Sequence, residues 1–248
     1  MALDFVAITE SESARLVAAL AANPTALVPW SDRWTVARVA QHVGGTHHVV
    51  SKIIADRPGA SFSLFKTLGP PELDDPGLGE WVAAGTAALA AALRAAPATA
   101  ACWSWYPEGA TAGFWSRRMA QETLVHRWDA EHGAGVAVEA MAPAVAADGV
   151  DEYLDVFVAT TRAMNSAPAG PTIHLHCTDT EGEWLLDLGT AGERTLTRQH
   201  AKGDVALRGP AEALLLTVWG RQTAAELGVD VVGDASILDR WTQLLPPM

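Results

Sequence analysis

The chain has 248 residues and sets 17 Lys and Arg against 29 Asp and Glu, a formal net charge of −12 with histidine neutral. Nucleic-acid binding draws most of its affinity from Lys and Arg placed against phosphates, so this acidic chain, which has no basic run, is excluded from a whole-chain role on DNA or RNA. An apolar share of 49% with 19% charged residues is the composition of a folded protein with one large or two modest domains.

Residues 1–15 carry Asp4, Glu10 and Glu12 and lack a basic segment followed by an apolar one, so no secretory signal is read and the expected location is cytoplasmic. From Asp4 to Ala22 the residues Phe5, Ile8, Leu16, Ala19 and Leu20 recur near the helical period, and Asn23-Pro24 ends that helix. Thr35 can cap a second helix from Val36 to about Ile54, in which Val36, Val39, Ala40, Val43, His47 and Val50 recur at steps of three and four; Arg57-Pro58-Gly59 breaks it. Residues 58–79, rich in proline and glycine, form a long irregular connection of the kind that often borders a site. A third helix runs from about Glu80 to Ala96. Its apolar stretch, Trp81 to Leu93, stops short of the roughly 20 residues a bilayer requires, so no membrane span is expected. A fourth helix runs from about Ala112 to Glu131 and ends near Gly133. Four helices with one long crossover predict a bundle over residues 1–142.

Residues 143–248 change character. Asp148 to Met164 reads as one more amphipathic helix, and Pro168 to Pro171 as a linker. Ile173, Leu175 and Cys177 then alternate with His174, His176 and Thr178. Trp184, Leu186 and Leu188 alternate with Leu185 and Asp187, which predicts a hairpin around Thr180-Glu181-Gly182-Glu183. Asp204 to Arg208 is a third short strand, and Pro210 suits the first turn of a helix. Val229 to Val232 is a fourth strand, and Asp234 caps a last helix through Leu245. Helices mixed with an antiparallel hairpin mean a small α+β domain. Cys102 and Cys177 form neither a CxxC pair nor a disulfide framework and are expected to be buried thiols.

The segment richest in chemistry is Arg117 to Asp129. Glu122 and His126 lie four apart, hence one turn apart on one helical face, where two side chains can share a metal ion. His42 sits within the apolar pattern of the second helix, where an unpartnered imidazole is costly to bury, and is the candidate third ligand. His, Glu and His would leave coordination positions open, as in catalytic rather than structural zinc. Spacing alone leaves two other readings of the Glu-x3-His pair open, a solvated ion pair and a satisfied core histidine.

Several stretches together resemble the mycothiol-dependent maleylpyruvate isomerase family. They are Trp34-Thr35-Val36 with His42 six residues on, Arg117-Arg118 through Asp129, Val205-Ala206-Leu207-Arg208-Gly209-Pro210, and Gly233-Asp234. The resemblance covers nearly the whole chain. It implies a mainly α protein with a DinB-like metal-binding four-helix bundle over residues 1–142. A smaller C-terminal α+β domain over 143–248 would close over the metal cleft. It also implies a divalent metal, expected to be zinc, on His42, Glu122 and His126, with mycothiol as thiol cosubstrate. Position 121 is Gln where many relatives carry His, but it lies off the metal face.

The activity so implied is isomerisation or conjugation of a small electrophile by a metal-activated thiolate, with small molecules as partners and neither nucleic acid nor membrane. Two rivals stand beside it: a metal hydrolase using bound hydroxide at the same triad, and a binding protein that keeps the pocket without turnover. Because relatives place an active-site arginine in the second domain, Arg221 is a candidate carboxylate clamp. It sits equally well as a cation at a helix C-terminus. Asp129, three residues after His126, can orient that ligand or pair with Arg127 or Arg118. Arg118 shares the face of Glu122. His47 and His48 point away from His42, and His174 with His176 can form either a metal pair or a polar strand face. Trp34, Trp115 and Trp128 are the tryptophans nearest the candidate site in sequence.

Overall fold

The computed structural model describes residues 2–56, 61–160, 169–191 and 193–244. The expected break at Arg57-Pro58-Gly59, the helix end expected at Met164, the start of the linker at Pro168 and the helix end expected at Leu245 lie outside them. The chain divides into two compact units, Met1–Glu139 and Ala140–Met248.

The first unit is a four-helix bundle. Helix α1 spans Phe5–Ala22, and the Asp4 carboxylate accepts from the amide of Ala7 to cap it. Helix α2 spans Val36–Asp56, with the Thr35 hydroxyl accepting from the Arg38 amide. A short 3-10 turn, Phe62–Thr67, lies inside the long connection, and α3 follows at Leu78–Ala95. Helix α4 spans Ala112–Ala134, starting from a Thr111 cap. It ends one residue past Gly133. Gly135 adopts the left-handed conformation, φ 70°, that closes a helix without a Cβ clash. Gly133 serves a different need: a Cβ there would come within 3.0 Å of the Leu27 carbonyl oxygen. α1 packs chiefly on α4 and α2 on α3. Two apolar clusters fill the bundle, one around Leu16, Val36, Val39, Val43 and Val82, the other around Val50, Ile53, Leu89 and Trp115.

A polar chain crosses that apolar interior and touches all four helices. Ser13 of α1 meets the Thr86 hydroxyl of α3 at 2.7 Å, Thr86 meets His47 Nδ1 of α2 at 3.0 Å, and His47 Nε2 meets the Thr123 hydroxyl of α4 at 2.9 Å. Thr123 donates onward to the Met119 carbonyl. Because the Thr123 proton goes to Met119, a neutral His47 donates from Nε2 to Thr123, while Nδ1 faces a Thr86 hydroxyl that also reaches the Val82 carbonyl. Burial pushes His47 down to about 3, since a charged ring would lose its hydration with no counter-charge in contact.

The second unit is α+β. Helix α5, Pro143–Glu152, takes proline in its first turn and runs into a π-helical segment, Tyr153–Phe157. Strands β1 (Thr172–Cys177), β2 (Glu183–Asp187), β3 (Thr195–Thr197), β4 (Val205–Gly209) and β5 (Asp230–Gly233) form one sheet in the order β3-β2-β1-β4-β5. The expected hairpin is β1–β2, with Ile173 opposite Leu186 and His176 opposite Glu183. Two features of the sheet differ from the sequence reading. β3 is an extra strand, too short for its Thr-Leu-Thr pattern to register, and β4 runs parallel to β1. Helix α6 spans Ala211–Val218. The last helix is instead a 3-10 segment, Ala235–Arg240, leading into a short α7, Trp241–Leu244. Ile173, Leu175, Leu186, Val205 and Leu207 are fully buried on the apolar face of the sheet. Among the described residues no helix is long and apolar enough to cross a membrane.

Candidate metal centre

Helix α4 is the least apolar helix of the bundle and yet is mostly buried, including Arg118, Gln121, His126, Arg127, Asp129 and Glu131. Burying charge is costly unless each charge meets a partner, so such a helix implies a network. The network has two parts. Arg127, with no exposed surface, pairs with Glu12 of α1 at 2.6 Å and Glu131 at 2.9 Å, and Arg15 joins Glu131 at 2.7 Å. This ties α1 to α4 and leaves the other face of α4 to the candidate ligands.

On that other face His42, Glu122 and His126 come together, each offering one ligand atom within 4.8 Å of the others. His42 Nε2 lies 2.9 Å and His126 Nε2 3.3 Å from the same oxygen, Glu122 Oε1. The second oxygen, Oε2, accepts from Arg118 Nη2 at 3.0 Å, the shared face expected from their spacing. Asp129, fully buried, lies 2.9 Å from His126 Nδ1, where its carboxylate can fix the orientation of that ring. Arg127 is engaged elsewhere.

The electrostatics follow from this packing. Desolvation, the largest single influence, works against charge on both Glu122 and His126, but their partners taken together outweigh it. With His42 and Arg118 also beside it, Glu122 is held well below the usual carboxylate range. Glu122 and Asp129 together raise His126 to about 9. The fit to a cation rests on the donor set itself. Two imidazole nitrogens crowd one carboxylate oxygen, the remaining nitrogen of His126 is held by a buried carboxylate, and nitrogen with oxygen donors suits zinc and its neighbours.

Access is uneven. The His42 side chain is 34% exposed against 8% for His126, so the centre opens on the α2 side. The ring of Trp34 meets His42 edge-on at 5.4 Å, and Trp30 backs Trp34 at 5.5 Å. Trp115 donates to the Trp103 carbonyl within the apolar core, and Trp128 stacks on His132. His48 bonds the Trp81 carbonyl and His47 belongs to the polar chain, so neither joins the triad. In the second unit Arg221 follows Gly220, φ 65°, at the end of α6. Its Nη1 donates to the Trp219 carbonyl at 3.1 Å and its guanidinium lies 5.6 Å from the centre of the Trp219 ring. Both cysteines are buried thiols outside any disulfide, and burial pushes Cys177 up to about 12.

A helical bundle carrying a His, Glu, His cluster, joined to a small α+β unit, defines a two-domain protein with a candidate divalent-metal centre. Residues 6–131 match the family model for the mycothiol maleylpyruvate isomerase N-terminal domain, and residues 144–240 match that for the C-terminal domain of the same proteins. The chain belongs to the mycothiol-dependent maleylpyruvate isomerase family. Among solved structures it is similar to a histidine-to-alanine mutant of the mycothiol-dependent maleylpyruvate isomerase, with TM-score 0.61 and 13% identity over 92% of this chain and 91% of that one. At that identity the likeness speaks for the fold. No curated protein matches the sequence.

Proposed function

We propose that the protein is a metal- and mycothiol-dependent isomerase that carries a small, electron-poor, carboxylate-bearing alkene from cis to trans. The observation that carries the reading is the convergence of His42, Glu122 and His126 within 4.8 Å, in a chain of this family. A divalent cation there, zinc by the donor set, would supply the Lewis acidity that turns a thiol of ordinary pKa, about 8.5, into a thiolate at neutral pH.

The protein's own residues do the rest. Asp129 fixes the His126 ring and keeps its Nε2 turned to the centre. Arg118 occupies one oxygen of Glu122 and leaves the other for the centre. Trp34 walls the exposed side at His42 and restricts water there. Neither cysteine serves as nucleophile in this scheme: Cys177 is held protonated by burial and Cys102 lies in the core, so the thiol is brought by the cosubstrate. A thiolate adding to the double bond would form a C–S bond and move the π electrons onto the conjugated carbonyl oxygen, leaving a single bond free to rotate; return of those electrons would re-form the alkene as trans and expel the thiolate. Arg221 is proposed as the anchor for an anionic group of substrate or cosubstrate, since a chain of net charge −12 needs a local cation to receive a carboxylate.

The test uses the full-length, zinc-loaded protein with mycothiol and maleylpyruvate, following both isomer and free thiol. Isomer conversion without thiol loss, abolished in Glu122→Gln and kept in the Cys102→Ala, Cys177→Ala double variant, is expected. Stoichiometric thiol loss would mark a transferase. Hydrolysis of esters or amides without thiol would mark a hydrolase, and zinc binding with no turnover a binding protein.

A further inference from the structure

The face of the sheet opposite its apolar side carries a second histidine cluster. His174 and His176 alternate with Ile173, Leu175 and Cys177 along β1, so both imidazoles stand on that face. Antiparallel register puts Glu183 of β2 directly across from His176 and one diagonal step from His174. The connection between β3 and β4 brings His200 to the same place. The result is that three imidazoles converge on a single carboxylate oxygen. Glu183 Oε1 lies 3.1 Å from His174 Nε2, 3.0 Å from His176 Nδ1 and 2.5 Å from His200 Nδ1.

A carboxylate has ample acceptor sites on its two oxygens, so a merely polar surface has no reason to gather three ring nitrogens on one of them. We propose that His174, His200 and Glu183 form a second divalent-metal site, for zinc or a neighbouring first-row cation, independent of the centre in the helical unit. Their ligand atoms lie within 4.8 Å of one another. Ligand atoms about 2.0 to 2.1 Å from a tetrahedral ion stand roughly 3.3 Å apart, so only small side-chain movements are required. His176 Nδ1, 3.0 Å from the same Glu183 oxygen, flanks the three.

The scaffold holds these donors in place. His174 is buried. His200 is exposed, but its segment is anchored on both sides. Arg198 pairs with Asp151 at 2.5 Å, and the Asp204 carboxylate accepts from both the amide and the hydroxyl of Thr172 at 2.7 Å. Gly203 lets that segment lie flat on β1, since a Cβ there would stand 3.0 Å from the His174 amide nitrogen. Arg208 of β4, the neighbouring cation beside His176 in the register, is drawn 3.7 Å from Asp230 instead. An ion on His174, Glu183 and His200 would tie the β3–β4 connection to the β1–β2 hairpin and keep positions open to solvent on the His200 side.

The experiment is zinc stoichiometry of the full chain by chelator-buffered dialysis and elemental analysis, with zinc alone as the probe. Wild type is expected to bind one zinc more than the His174→Ala, His200→Ala double variant. In His42→Ala, Glu122→Ala protein the sheet site should remain loaded, which separates the two centres. His200 is on the surface, so His200→Ala should fold normally and weaken the second zinc by at least about tenfold, the lower end of what loss of even an outer partner costs. Cobalt loaded in place of zinc should lose part of its visible absorption in the same variant. Equal stoichiometry and equal zinc affinity in wild type and His200→Ala would overturn the site and leave a polar histidine cluster on the sheet.

Discussion

Replacing Asp129 by Asn tests whether the buried carboxylate behind His126 tunes a metal centre. The substitution preserves shape and one acceptor oxygen but removes the charge 2.9 Å from His126 Nδ1. Two effects then oppose each other. Losing the partner that orients a ligand and raises its basicity typically costs ten- to hundred-fold in metal affinity, about 1.4 to 2.7 kcal/mol. Against this, a metal must displace the proton of His126, whose pKa of about 9 owes part of its rise to Asp129, so the variant relieves some proton competition at neutral pH. Near pH 9 that relief fades and the orientation loss stands nearly alone. Zinc affinity of Asp129→Asn, measured in chelator-buffered titrations, should therefore fall ten- to hundred-fold at pH 9 and by a smaller factor at pH 7. An affinity within two-fold of wild type at pH 9, with helix content unchanged, would refute the argument.

His47 makes a prediction about stability alone. Its pKa is pushed from 6.5 to about 3 by burial, so between those values the unfolded chain binds more protons and stability is lost as pH falls. The loss at pH 5 relative to pH 8 should be about 2 kcal/mol, read from urea denaturation of the wild type, and His47→Gln should lack that increment. If Arg221 anchors a carboxylate, Arg221→Leu should raise KM roughly ten-fold to several hundred-fold, the scale of one charge-assisted hydrogen bond, with zinc content unchanged. Unaltered kinetics would leave it as the cation that caps the Trp219 carbonyl.

The candidate centre was legible because its two α4 residues sit on one face by spacing alone, while His42 stood out as an imidazole in an apolar pattern. For Asp129 the sequence offered two equal readings, and the fold places it 2.9 Å from His126 Nδ1 while Arg127 turns to Glu12 and Glu131. The helices of the bundle were legible from apolar periodicity. At the end of α4, expected near Gly133 and found at Ala134, Gly133 and Gly135 look alike in sequence, although one answers a close approach and the other a positive φ. In the sheet, β3 and the parallel partnering of β4 leave no local signal. Gathering His200 and Glu183 around His174 needs both the strand register and the course of the β3–β4 connection, and neither is written in any short stretch of residues.

The polar chain from Ser13 through Thr86 and His47 to Thr123 acts as a vernier on the bundle. Apolar side chains tolerate axial slip, because one leucine can replace another in a groove. A slip of one helical turn, about 5.4 Å, would strand every link of this chain in an apolar interior at once. Thr123 is the residue after Glu122, and His47 lies five residues beyond His42 on the same helix. The graduation that sets α2 against α4 is thus placed next to the residues whose separation matters most. A variant that keeps the bundle's volume but erases the chain, such as Thr123→Val with His47→Leu, could retain much of its helicity while its ligands fall out of step.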